Sequence, residues 1–196
     1  MSRKFISEQK RLVLFDIINK YVKNPVTLIP ISVESKESFT GELSSVTCRY
    51  ENTGKKRILK TNQSNVIGAI FDALVEKYSK QHQSLETIKF VGYSVNPYFK
   101  KKSKGSNSDA MTEVVIEVSC SSKIPVQFRK KDISVLRATI KCIFSCVEYY
   151  INSELCFKRL RFLIDEAEKR NRTDISSGYI TDIAEIVKVT SYEDLV

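Results

Sequence analysis

The chain has one histidine, His82, and no tryptophan. A single imidazole excludes a multi-histidine metal site within one chain. Glycine is sparse, 6 residues in 196, which argues against glycine-rich phosphate loops. No C-x-x-C pair occurs. No apolar run reaches the roughly 18 residues that a membrane-spanning helix needs. Met1-Ser2-Arg3-Lys4-Phe5 is followed by no long apolar stretch, so no secretory signal is evident and a cytoplasmic protein is expected.

What is present is an ordinary globular mixture, 42% hydrophobic and 28% charged, with enough apolar residues for a core. Lys and Arg number 32 against 23 Asp and Glu, a formal net charge of +9. The five cysteines are Cys48, Cys120, Cys142, Cys146 and Cys156. Their number is odd and their surroundings are apolar, so they are read as small buried thiols and not as metal ligands or disulfide partners. Cys142 and Cys146 are four apart in a helical pattern and share a face.

Periodicity divides the chain. Residues 8–23 read as a lead helix, with Leu12, Phe15, Ile18, Tyr21 and Val22 at helical spacing, ended by Asn24-Pro25. Strands follow over Val26–Val33, Phe39–Tyr50 and Lys55–Lys60, with a turn at Asn52-Thr53-Gly54. A helix over 64–80, capped by Ser64, presents Ile67, Ile70, Phe71, Leu74, Val75 and Tyr78 on one stripe. The order then recurs: strands Ile88–Phe99, Met111–Ser119 and Ile124–Phe128, and a helix over 133–151 capped by Asp132. Ser32-Val33 and Ser94-Val95 fall in the two first strands. The offset between units is roughly sixty to seventy residues.

The expected fold is therefore α+β: two strand-strand-strand-helix units, antiparallel sheets each covered by a helix, with an N-terminal helix and a helical C-terminal tail. Three regions result: an N-terminal helix over 1–25, a duplicated body over 26–153, and an appendage over 154–196. In the appendage Leu155–Arg170 continues as a charged amphipathic helix and Asn171–Ser177 reads as a loop. Tyr179–Val187 has a helical or mixed pattern.

The body resembles the C-terminal dimerisation and allosteric domain of the 2-isopropylmalate synthase and citramalate synthase family, the LeuA-type regulatory domain. Asn62-Gln63-Ser64-Asn65-Val66-Ile67-Gly68-Ala69 is similar to that family's Gly-x-Gly-Pro-Val-x-Ala run. Phe90-Val91-Gly92-Tyr93-Ser94-Val95 resembles its Leu-x-Asp-Tyr-x-Val strand, and Ser108-Asp109-Ala110-Met111-Thr112-Glu113-Val114 its Asp-Ala-x-x-x-Val run. Asp132-Ile133 to Tyr149 resembles the start and apolar stripe of its second helix. The likeness covers roughly 26–153. The family's glycines and proline are replaced here by Asn62, Ser64 and Asn65, whose side chains narrow the close backbone approach that glycine allows.

The resemblance implies a non-catalytic module that forms a homodimer and takes a branched-chain amino acid or related small metabolite, without cofactor or metal. The family's catalytic barrel and its His-x-His signature are absent, so a separate catalytic synthase subunit is an implied partner. The implied ligand residues are Asn62, Ser64, Asn65, Val66, Asp109 and Ala110. The helix start at Ser64–Val66 would hold the carboxylate on free amides and a positive dipole end, and Asp109 the ammonium. Each residue has a plainer reading: Asn62–Asn65 cap a helix, and Asp109 is a turn residue after Gly105.

An alternative function rests on Lys100, Lys101, Lys102 and Lys104, beside Tyr98 and Phe99, with Arg129-Lys130-Lys131 as a second cluster. These would make the chain a basic adaptor for nucleic acid or an acidic protein partner. A solvated hairpin tip accounts for the same lysines, and no nucleic-acid motif accompanies them, so nucleic acid is disfavoured. No membrane association is expected. An enzyme is expected least: no nucleophile, acid-base pair or metal set is visible, and His82 reads as a surface residue past a helix.

Overall fold

In the computed structural model, residues 8–36, 44–63, 65–98, 111–120 and 125–187 are described. The fold is α+β, as the periodicity predicts. Helix α1 (Glu8–Tyr21) leads into strands β1 (Leu28–Lys36), β2 (Ser44–Asn52) and β3 (Lys55–Gln63), then helix α2 (Val66–Ser79). A short 3-10 helix (Gln83–Thr87) opens the second unit: β4 (Ile88–Tyr98), β5 (Met111–Cys120), β6 (Val126–Asp132) and helix α3 (Val135–Lys169). Helix α4 (Thr173–Val187) follows. Each trio of strands is an antiparallel sheet in sequence order.

The repeat is more regular in the ladders than in the sequence. In the first unit Leu28 pairs Asn52, and the register slips between Pro30 and Ser32. In the second Ile88 pairs Cys120, and the slip falls between Phe90 and Gly92. The same bulge thus sits at the same place in both first strands, aligning Ser32 with Gly92 and not with Ser94. Cys48 faces Leu59 as Ile116 faces Phe128. The β2–β3 turn is tight because Thr53 (φ 47) and Gly54 (φ 80) both take the left-handed conformation that a two-residue hairpin needs.

Helix α3 is the centre. Its middle, Thr139 to Ser153, is rich in β-branched and aromatic residues that lose about 0.5 kcal/mol each against alanine in a helix. Burial outweighs this, at about 1.5–3 kcal/mol for each large apolar side chain enclosed. Ile143, Phe144, Val147, Tyr150, Ile151 and Leu160 are all fully enclosed. Phe144 meets Tyr50 of the first sheet (ring centroids 5.3 Å apart), and Tyr149 meets Phe128 of the second and Phe15 of α1 (both 5.6 Å). The five cysteines are free and buried, and burial pushes the thiols of Cys48 to about 11 and Cys156 to about 12.

Polar side chains of α3 hold the entrances of both units. Asn152 Oδ1 accepts from Val26 N (2.8 Å) and Asn152 Nδ2 donates to Val26 O (2.9 Å). Glu148 Oε2 accepts from Leu28 N (2.7 Å), the first residue of β1. Glu154 Oε2 accepts from Ser84 N (3.0 Å), just before β4. His82, expected at the surface, is tucked in instead: its side chain is 13% exposed, with Nδ1 3.7 Å from Glu154 Oε1. Burial alone would raise the Glu154 carboxyl, but hydrogen bonds from Lys158 Nζ and Ser84 N, with His82 close by, outweigh it and hold the group at about 2.

Four local expectations are corrected. Asn65 is the N-cap of α2 and Ser134 that of α3, in place of Ser64 and Asp132. The loop expected over Asn171–Ser177 is mostly helix. Asn171 (φ 54) ends α3 in a Schellman turn, with Arg172 N on Ala167 O and Asn171 N on Glu168 O, both 2.9 Å, and α4 begins at once. Leu12 is 57% exposed, because α1 buries Leu14, Ile17 and Ile18. Tyr21 Oη donates to Asp182 Oδ2 (2.7 Å) and ties α1 to α4.

Replacing Asn152 by Leu strands both backbone groups of Val26 and is expected to lower stability by about 2–3 kcal/mol in urea denaturation. For Glu154 the folded value lies below the ordinary 4.5, so its contribution is full above that value and is lost as pH falls toward about 2. Glu154→Gln should therefore destabilise the chain at neutral pH and flatten its stability profile below pH 4.5 relative to wild type.

Candidate functional site

The strand–helix turn at the start of α2 brings three of the expected ligand residues together. Asn62 is exposed near the end of β3, opposite Ser45. Asn65, also exposed, has extended backbone (φ −127, ψ 111), and its Oδ1 accepts from Ile67 N (3.1 Å) and Gly68 N (3.5 Å). Val66 is 8% exposed and belongs to the core. A Cβ at Gly68 would lie 3.4 Å from Asn65 Nδ2, close to an ordinary contact with the cap. The amides of Ile67 and Gly68, which a ligand carboxylate would use, are thus already engaged by Asn65. Ser64, Asp109 and Ala110 lie outside the described residues, as do Lys100, Lys101, Lys102 and Lys104.

A second concavity, invisible in the sequence, lies between β1 and α3. Pro30, Ile31, Ser32 and Val33 form one wall; Arg137, Ile140 and Lys141 form the other, around about 400 Å³. Asp132 organises its charged side. Its carboxylate accepts from Ser134 N (3.1 Å) and pairs with Arg137 Nη2 (2.8 Å) and Lys141 Nζ (2.7 Å). The hydrogen bond from Lys141, then that from Ser134, holds the Asp132 carboxyl near 2. These contacts explain why Asp132 is not the cap. Ser134 Oγ takes that place by accepting from Arg137 N (3.4 Å).

A third depression, about 590 Å³, is basic. Arg49, Lys56, Arg57 and Lys77 surround Ile31, Tyr50 and Ile58. Lys77 Nζ stands 5.1 Å from the Tyr50 ring centroid and 3.5 Å from Ile58 O. Arg49 is paired with Glu34 (2.7 Å). These cations come from two strands and a helix, and only Lys56 and Arg57 belong to one run in the sequence, Lys55-Lys56-Arg57.

Among the described residues no three His, Cys, Asp or Glu side chains converge on a possible metal position, and no helix is long and apolar enough to cross a membrane. In the pair His82–Glu154 the Glu154 side chain is 1% exposed and the His82 side chain 13%. Glu154 ties α3 to the start of the second unit through Ser84 N.

Asn65→Ala should cost about 1 kcal/mol in thermal or urea unfolding, and Asn65→Ser much less, because serine can still accept from the first-turn amides. No family model matches the chain, and no curated protein matches it.

Proposed function

We propose that the chain is a non-catalytic regulatory and dimerisation module of the LeuA type, responsive to a small aliphatic amino acid and serving a separate catalytic subunit. The observation that carries this reading is the matched register of the two units, with the same bulge in β1 and β4 and the same strand–cap–helix join. It supports the duplicated plan that the likeness over 26–153 implies.

Dimerisation is favoured by the first strands. The residues Ile29, Ile31, Val91 and Val95 are 53%, 54%, 43% and 39% exposed on the edge strands of the two sheets. The opposite edges, β3 and β6, carry Lys55-Lys56-Arg57 and Arg129-Lys130-Lys131, which discourage edge-to-edge pairing. A second copy would cover the apolar edges and leave the charged ones in water. The start of α2 would receive the amino acid, and its carboxylate would displace the Asn65 side chain from the helix amides.

A second reading, a basic adaptor for nucleic acid or an acidic protein, draws on the cluster of Arg49, Lys56, Arg57 and Lys77. It predicts binding to a labelled single-stranded RNA that falls steeply with salt.

Sedimentation velocity should show a dimer, and Ile29→Lys with Val95→Lys should give a folded monomer. Leucine or isoleucine should raise the melting temperature, and Asn65→Ala should alter that rise. A monomer at all concentrations, with no amino acid shifting the melting temperature, would sink the proposal.

A further inference from the structure

The shared register lets the two units be compared residue by residue, and they differ sharply at one place. The strand ladders put Pro30 where Phe90 stands and Val33 where Tyr93 stands. The helix caps, Asn65 and Ser134, put Arg137 where Gly68 stands, Ile140 where Phe71 stands and Lys141 where Asp72 stands. Each helix meets the first strand of the other unit, and between α2 and β4 the rings of Phe71 and Phe90 are in contact, their centroids 5.5 Å apart at 78°. Between α3 and β1 the corresponding pair is Ile140 and Pro30. Two rings are missing, and the space between α3 and β1 stays open as the 400 Å³ groove. That volume is within the range of small-molecule sites.

We propose that this groove binds a small aliphatic monocarboxylate. It stands apart from the start of α2, and it shares Ile31 with the β1 edge of the dimerisation reading. Its walls, Pro30, Val33 and Ile140, suit a short branched hydrocarbon. Its charge is specific. Arg137 and Lys141 bring two positive charges to the rim, and Asp132 returns one negative. One positive charge remains, which matches a carboxylate and leaves a phosphate dianion half neutralised. Guanidinium and ammonium both keep N–H donors beyond those given to Asp132, so an incoming carboxylate can be hydrogen-bonded as well as neutralised. Asp132 already pairs with both cations and accepts from Ser134 N, so the ammonium of an amino acid would have to compete with Arg137 and Lys141 for it. The α2–β4 contact shows the converse: with Gly68 and Asp72 at the matching positions, it lacks the paired cations as well as the space.

The test uses the full chain, isotopically labelled, with isovalerate as probe in a two-dimensional NMR titration. Saturable shifts are expected at the amides of Ser32, Val33 and residues 137–141. Arg137→Gln and Lys141→Gln, both at exposed side chains, should each weaken binding about tenfold, as loss of one charge-assisted hydrogen bond implies. Pro30→Phe, which restores one ring of the other unit, should abolish it in a chain whose spectrum is otherwise retained. Lys56→Gln should leave it unchanged. Any of three results overturns the proposal: no saturable shifts with isovalerate in the millimolar range; isopentanol or isopentylamine binding there as tightly as isovalerate; or phosphate or leucine competing for the same residues with equal affinity.

Discussion

Enclosure of the middle of α3 on all sides is the constraint on which the other elements depend. The helix has 35 residues, too many to belong to one sheet, and it packs on β1, β5, β6, α1, α2 and α4. Its apolar middle could not be left in water without losing the terms that offset its poor helix propensity. Both sheets are therefore drawn to it. Its buried and half-buried polar groups act as anchors, with Asn152 and Glu148 fixing the entry to β1 and Glu154 fixing the entry to β4.

Around that axis the duplication is close but unequal. Both units keep the bulge and the cap-to-helix join. They diverge in what fills the cleft beside the first strand, two phenylalanines in one and a proline with an isoleucine in the other. A repeat of this kind frees one copy of a packing duty while the other retains it. The retained copy holds the fold, and the relaxed copy has room for chemistry. Arginine and lysine stand at the relaxed copy, where a hydrocarbon wall and one surplus charge coincide.

The order of elements was legible in the sequence because periods of two and 3.6 residues alternate cleanly from Leu28 to Ile151. Boundaries were less legible, for specific reasons. Asp132 has the chemistry of a cap, but two cations five and nine residues further on claim its carboxylate. The run Asn171 to Ser177 has the composition of a loop, yet its first residue alone makes the turn and the rest begins α4. His82 sits among polar neighbours in sequence, while its partner Glu154 is far along the chain. The groove could not be read at all, since it needs the β1 register and the α3 phase together. Of the expected ligand residues, Asn65 caps α2, Val66 joins the core and Asn62 is exposed on β3.

The long reach of α3 also sets the order in which the chain can fold as it is synthesised. The Val26 amide meets its partner only when Asn152 arrives, 126 residues later, and the Leu28 amide waits 120 residues for Glu148. The first sheet therefore emerges from the ribosome with β1 unanchored and its apolar edge open. It must wait for nearly the whole second unit before the helix that closes it exists. Such late, long-range closure slows folding and prolongs the exposure of sticky surface. A chain built this way has good use for lysine-guarded outer strands well before it reaches its native state.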